Sequence, residues 1–346
     1  MRAPAPFSPL RILLTADPEL PVPPRGYGGI ERIVDALGRA LQARGHTVAL
    51  MAHRDSSCRV DQRFAWPGRD SRGALATLRN AFALRRAVST FRPDAVHSFS
   101  RLIYLLPILR KSVSKIMSYQ RHTGGRQLGI AARFGGNSLR FTGCSDFICE
   151  LGRPAGGEWR TIHNFVEMDR YAFVPCVPPD APLVFLSRIE SIKGPDLAIE
   201  IARASGRRLV LAGNRSQQGA ERDFWDAKIA PHLGRGGIEW IGEVDDVQKN
   251  ELLGRAAALL VPIQWDEPFG IVFAEALACG TPVLTCRRGA LPEIVDPGRT
   301  GLFLDSLANG VAAVHGIPKL DRAACRQSAE MRFSVDVATT RYEELY

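Results

Sequence analysis

The chain has 346 residues, 45% of them hydrophobic and 23% charged, with a formal net charge of +9. That length suggests two domains of roughly 100–200 residues each, and the composition excludes disordered and fibrous classes. The charge is uneven: residues 1–165 carry 25 Lys and Arg against 11 Asp and Glu, and residues 166–346 carry 20 against 25, so a basic first half and an acidic second half point to domains with different partners.

Met1 to Leu10 holds three prolines and no apolar stretch, so it does not read as a secretory signal. The first strand is Arg11 to Thr15, followed by a loop rich in proline and glycine and a helix over about Gly29 to Arg44. Ile30, Ile33, Val34, Leu37 and Leu41 recur at helical spacing there, and Gly45 sits where a helix ends. A strand at Thr47 to Met51 completes a βαβ unit, whose strands should be parallel. A helix over 74–90 leads to a strand at Asp94 to His97. Leu102 to Leu109 is an apolar run of eight residues that includes Pro107, too short for the roughly 20 a bilayer span needs. Strands follow at Lys115 to Tyr119, near Phe141 and near Thr161.

Residues Val174 to Pro182 hold prolines at 175, 178, 179 and 182 and read as an interdomain linker. A second βα series then runs through strand Leu183 to Ser187, helix 195–205, strand Arg208 to Ala212, helix 221–233, strand Glu239 to Ile241, helix 247–257, strand Ala258 to Pro262, helix 270–279 and strand Pro282 to Thr285. Residues 320–346 read as helical. The expected class is α/β, two doubly wound Rossmann-like domains. The seven cysteines form no Cys-x-x-Cys pair and no zinc spacing, which suits reduced thiols in a cytoplasmic protein.

Ligands of open parallel sheets bind at the carboxyl ends of strands. Three loops stand there. Arg25-Gly26-Tyr27-Gly28-Gly29-Ile30-Glu31 has glycines that let a backbone approach a ligand, ahead of a helix N-terminus that favours an anion; a tight structural turn accounts for them equally well. Arg188 and Lys193, in the loop opening the second series, sit beside a helix start and suit a diphosphate, or are surface charge. The third is Asp266-Glu267-Pro268-Phe269-Gly270-Ile271-Val272-Phe273-Ala274-Glu275. Here Pro268 and Gly270 turn the chain into a helix whose first amides, at Phe269, Gly270 and Ile271, are donors. Glu275 lies among apolar residues, and its carboxylate needs a partner, either a vicinal diol such as a ribose or an internal arginine.

Glu267 and Glu275 are separated by seven residues, and the segment resembles the donor-site signature of glycosyltransferase family 4, retaining enzymes of the GT-B fold. Gly26 to Glu31 resembles that family's N-terminal glycine loop, Gly45-His46-Thr47-Val48 its helix-to-strand turn, and Asn164-Phe165-Val166-Glu167 its asparagine-led linker. Arg188 and Lys193 match its diphosphate pair, and Arg332-Phe333-Ser334 to Tyr346 its terminal helix. Ser187 and Phe165 stand where the family usually has glycine, and His97-Ser98-Phe99 lacks a second histidine often seen there.

The resemblance implies an N-terminal acceptor-side domain over 1–170, a nucleotide-sugar domain over 171–327, a cleft between them, and a C-terminal helix at about 328–346 packing back on the first. It implies Glu275 on the ribose hydroxyls, Glu267 on the donor sugar, and the amides of Phe269, Gly270 and Ile271 on the sugar or β-phosphate. Arg188 and Lys193 would neutralise the leaving diphosphate, which is the main electrostatic demand. Gly28 and Gly29 join the donor set. His122, after a first-domain strand, would face the donor sugar. Asn214 and the loop Gly242 to Asp245, with Val244, would meet the base.

No Asp-x-Asp occurs in the chain. The expectation is therefore a metal-independent, retaining transfer from a nucleoside-diphosphate sugar, with no cofactor. Competing readings are a sugar-nucleotide epimerase on the same fold and a basic nucleic-acid-binding protein; no helix-turn-helix, zinc or RNA-binding signature favours the second, so no nucleic-acid partner is expected. The apolar run 102–109 lies among Arg72, Arg79, Arg85, Arg86, Arg92, Arg101, Arg110, Lys111 and Lys115. It is either a core element, or a surface that dips into an anionic leaflet and receives a lipid-linked acceptor.

Overall fold

The computed structural model describes residues 8–24, 26, 28–68, 70 and 73–346. Arg25, Tyr27 and Arg72 lie outside the described residues. Contacts divide the chain into two units, Met1–Asn164 with Val335–Tyr346, and Phe165–Ser334.

The first unit runs β1 (Arg11–Thr15), α1 (Gly29–Ala43), β2 (Thr47–Ala52), β3 (Gln62–Ala65), α2 (Ala74–Phe91), β4 (Ala95–Ser98), β5 (Ser114–Tyr119), α3 (Arg126–Gly135), β6 (Leu139–Gly143), α4 (Asp146–Gly152) and β7 (Glu158–Thr161). Its strands are parallel in the order β3-β2-β1-β4-β5-β6-β7. Ile12, Leu13 and Leu14 of β1 are fully buried, because helices cover both faces of such a sheet.

The second unit runs β8 (Leu183–Leu186), α5 (Pro195–Ala204), β9 (Leu209–Ala212), α6 (Gly219–Phe224), β10 (Ile238–Trp240), α7 (Asp246–Arg255), β11 (Ala258–Val261), α8 (Ile271–Ala278), β12 (Val283–Thr285), α9 (Leu291–Ile294), β13 (Gly301–Phe303), α10 (Leu307–Gly316) and α11 (Arg322–Phe333). Its parallel order is β10-β9-β8-β11-β12-β13. The winding direction reverses between β1 and β4 in one unit and between β8 and β11 in the other. At each reversal the loops leaving adjacent strands diverge and open a crevice.

Several expectations change. The chain passes between units at 164/165 and 334/335, not at 170 and 327. The proline-rich stretch 174–182 is no free linker. The buried Arg322 guanidinium donates to Val174 O at 2.7 Å, Ala256 O at 2.9 Å and Gly254 O at 2.9 Å, and Arg207 donates to Pro179 O and Ala181 O. The terminal helix is two helices: Ser334 is extended, so α11 packs on α8 in the second unit, and α12 (Val335–Glu343) packs on α1 in the first. Arg44 pairs there with Asp336 and Glu343, and His46 Nε2 lies 2.9 Å from Glu343 Oε1.

Helix 221–233 is broken into α6, a π turn at Trp225–Ile229 and a 3-10 turn at Ala230–His232 that contains Pro231, since proline removes an amide donor. Sequence reading missed β3, α3, α4, α9, β13 and α10, of which β3, α4, α9 and β13 are only three to seven residues long. Leu102–Ile108 forms 3-10 turns packed on α2, with Tyr104, Leu105 and Ile108 fully buried. Most of that run belongs to the core, and Leu106 is its exposed residue.

Candidate functional site

In the second unit the crevice between β8 and β11 gathers the loops that follow those strands. Lys193 ends a 3-10 turn, Ser191–Lys193, after β8. The amide of Gln264, from the loop after β11, donates to Ile192 O at 2.8 Å and ties the two loops together. Lys193 Nζ donates to Glu267 Oε2 at 2.6 Å, and Trp265 Nε1 donates to the same oxygen at 2.9 Å. Both charged residues are buried, and the ammonium lies 4.8 Å from the Trp265 ring centroid. Two buried unlike charges in contact offset each other's desolvation.

Backbone geometry fixes Glu267. The Ala290 amide donates to Glu267 O at 2.8 Å. Gly289, at φ 55°, lies so close that a Cβ there would stand 2.3 Å from that carbonyl oxygen; only glycine lets the loop after β12 pass this near. Gly270, at φ 78°, then turns the chain into α8, and a Cβ there would meet the Phe273 ring at 2.5 Å. Phe269 is buried edge-on against Phe333, with ring centroids 5.6 Å apart, so its side chain anchors the turn. Ile271 opens α8, where the first amides have no acceptor within the helix.

Glu275, one helical turn further, is buried. Its Oε1 accepts from Tyr171 Oη at 2.7 Å and from Lys249 Nζ of α7 at 2.6 Å. Burial and the neighbouring carboxylate hold the Tyr171 phenol far above its ordinary range, so it remains a donor. The internal partner is thus a lysine and a tyrosine, not an arginine. Glu275 Oε2 makes no hydrogen bond among the described residues. Sequence reasoning missed Tyr171, Lys249 and Trp265; only Trp265, two residues before Glu267, had a signal in the chain.

Arg188 is half-buried and pairs with Glu190, apart from the Lys193–Glu267 pair. Val244 is half-buried in the loop before α7, next to Asp245, which caps that helix with Gln248. Asn214 is exposed and its carbonyl accepts from the Ile189 amide at 2.8 Å.

Gly28, Gly29 and His122 belong to the first unit. Gly28 is the N-cap of α1 and Gly29 its first residue. His122 is exposed after β5, its ring 5.5 Å from that of Phe147 and edge-on. His97 is buried and structural: Nδ1 lies 2.7 Å from Tyr346 Oη and Nε2 2.7 Å from Ser118 Oγ, and burial lowers its pKa to about 3. Asp17, just past β1, went unremarked in the sequence. Burial, aided by the charges of Glu19 and Glu31, pushes its carboxyl up to about 6, while Arg121 and Arg101 pull it down. Burial also raises Glu31. Among the described residues, no group of three His, Cys, Asp or Glu side chains is placed to hold a metal ion, and no helix is long and apolar enough to cross a membrane.

Residues 178–320 match the model described as "Glycosyl transferases group 1", and residues 27–170 match "Glycosyltransferase Family 4". A glycogen synthase of Mycobacterium tuberculosis is 27% identical over 90% of this chain and 87% of that protein. A glycosyltransferase involved in avilamycin A biosynthesis has a TM-score of 0.71 at 25% identity, covering 97% of this chain and 96% of that one. Anabaena HepE, in complex with UDP and glucose, has a TM-score of 0.70 at 17% identity, covering 97% and 98%. Both halves of the chain carry the family's features in order, and the chain belongs to glycosyltransferase family 4 of the group 1 glycosyl transferases, with the GT-B pair of α/β domains.

Proposed function

We propose that the protein transfers a sugar from a nucleoside-diphosphate sugar to an acceptor hydroxyl, with retention of the donor's anomeric configuration and without a metal ion. The observation that carries this reading is Glu275. A buried carboxylate has one oxygen committed to Tyr171 and Lys249 and the other without a partner among the described residues, which suits the paired hydroxyls of a ribose. HepE, a protein of the same fold, is seen with UDP and glucose.

On this reading Glu267 binds donor-sugar hydroxyls, and the α8 N-terminus with Lys193 and Arg188 faces the diphosphate. Negative charge grows on the leaving phosphate as its bond to the sugar C1 breaks, and fixed cations stabilise that change most at the transition state. The acceptor oxygen bonds to C1 on the face the diphosphate leaves, and the acceptor's proton goes to the departing phosphate. The family resemblance also gives His122, Gly28 and Gly29 to the donor and Val244 to its base. A cytoplasmic enzyme of polysaccharide, glycolipid or other glycoconjugate synthesis, with a lipid-linked acceptor among the candidates, fits this chemistry.

The test is a thermal-shift screen of nucleoside diphosphates and their sugars. A cognate donor raises stability by about 2.7 kcal/mol at a hundredfold excess over Kd. NMR coupling constants of the product then report the anomer, and turnover continues in a chelator. The absence of any shift, an inverted anomer, or a metal-reversible loss in chelator each removes the corresponding part of the reading.

A further inference from the structure

Three crossovers of the first sheet, β3 to β4, β4 to β5 and β5 to β6, step in the same direction across the strand order. Right-handed crossovers therefore place α2, the 102–108 turns and α3 on one face, opposite α1. α2 buries Ala81, Leu84, Ala87, Val88 and Phe91 in the core. It carries a second apolar stripe outward, Leu75, Leu78 and Phe82, at positions i, i+3 and i+7. Leu106 from the turns and Ile130 and Phe134 from α3 stand outward too; all six are between 47% and 60% exposed.

Contacts join these elements. Arg110, at the end of the turns, lies over the Phe134 ring at 5.1 Å, and Lys111 Nζ reaches Ser89 Oγ of α2 at 3.4 Å. The exposed apolar tips are interleaved with exposed Arg79, Arg85, Arg86, Arg110 and Arg133. Residues 74–140 carry twelve Lys and Arg and a single carboxylate, Asp94.

A solvated helix face would show charges of both signs, and a core face would be covered. Large apolar side chains among acid-free arginines match a surface with phosphates at its rim and hydrocarbon just beneath. We propose that this face of the first unit docks on an anionic phospholipid bilayer. The run 102–109, which the sequence leaves as either core or membrane surface, is largely core, and Leu106 joins the exposed residues of α2 and α3 on this face. The inference stands on the surface alone and does not depend on the donor-site reading.

Purified full-length protein is sedimented with vesicles of phosphatidylcholine alone or mixed with phosphatidylglycerol, at low and high salt. The protein pellets with the anionic vesicles at low salt, loses binding steeply as salt rises, and stays in the supernatant with neutral vesicles. Arg85→Glu with Arg86→Glu lowers the partition at least about tenfold, and Leu78→Ser with Phe82→Ser weakens it comparably. Both double variants keep the parent's circular dichroism, melting temperature and nucleoside-diphosphate binding. Three results overturn the proposal: no pelleting with anionic vesicles at low salt, equal pelleting with neutral ones, or parental binding by both variants. A vesicle-indifferent dimer that Leu78→Ser with Phe82→Ser converts to monomer also overturns it, and gives the face to a second copy of the chain.

Discussion

Lys193 and Glu267 hold each other across 2.6 Å, although the family resemblance gives one to the diphosphate and the other to the sugar. The pair is buried and Trp265 steadies the shared oxygen. Each charge offsets the other's desolvation. A bound diphosphate would compete with Glu267 for the ammonium, and sugar hydroxyls would take up the carboxylate.

Lys193→Ala and Arg188→Ala should each lower kcat by about 10²–10³, the usual cost of removing one group aimed at developing charge. Lys193→Ala also leaves Glu267 without its cation, so a melting curve should accompany the rate. Near-parental turnover by both variants would place the diphosphate elsewhere.

Glu275→Gln keeps the shape and one oxygen for Tyr171 and Lys249 while losing the charged acceptor. Nucleoside-diphosphate affinity should fall by about 1.5–3 kcal/mol, read by calorimetry on protein whose circular dichroism is unchanged. An unaltered affinity takes Glu275 out of the nucleotide site.

Asp17 binds its proton more tightly in the folded protein, with a value of about 6 against the usual 3.8. Its contribution to stability is full below the unfolded value and lost as pH rises through the folded one, amounting to about 3 kcal/mol. Asp17→Asn should match the parent's melting temperature near the bottom of that window and exceed it above the top. Parallel melting temperatures across the whole range would contradict the raised carboxyl.

His97 shifts oppositely, from 6.5 to about 3, because burial excludes the imidazolium. The unfolded chain takes the proton first, so stability should be lost as pH falls from 6.5 toward 3. His97→Gln, able to serve Ser118 and Tyr346, should flatten that acid limb in pH-dependent denaturant melts. An acid limb identical to the parent's would rule out His97 as its source.

Arg322→Met should destabilise the protein by about 3 kcal/mol, since it strands the carbonyls of Val174, Gly254 and Ala256. Urea denaturation measures this. A loss below about 1 kcal/mol would mean that water replaces the guanidinium.

The sequence alone determined the α/β class and most strand positions, because a buried parallel strand such as Arg11–Thr15 or Leu183–Leu186 is a short apolar run between turn residues. It also set out the loops to examine, since Glu267, Gly270 and Glu275 lie within one stretch of chain. Elements with little periodicity escaped it: β3, with no buried residue, and α4, at seven residues. Only the tertiary structure decided that Glu275 meets Tyr171 and Lys249, 104 and 26 residues away, and that Arg322 fastens Val174, 148 residues away. It also decided which apolar side chains of the basic half face out. Apolar period is a local property that the chain displays along its length, whereas the partner of a buried charge is whatever distant element packing brings within hydrogen-bond reach.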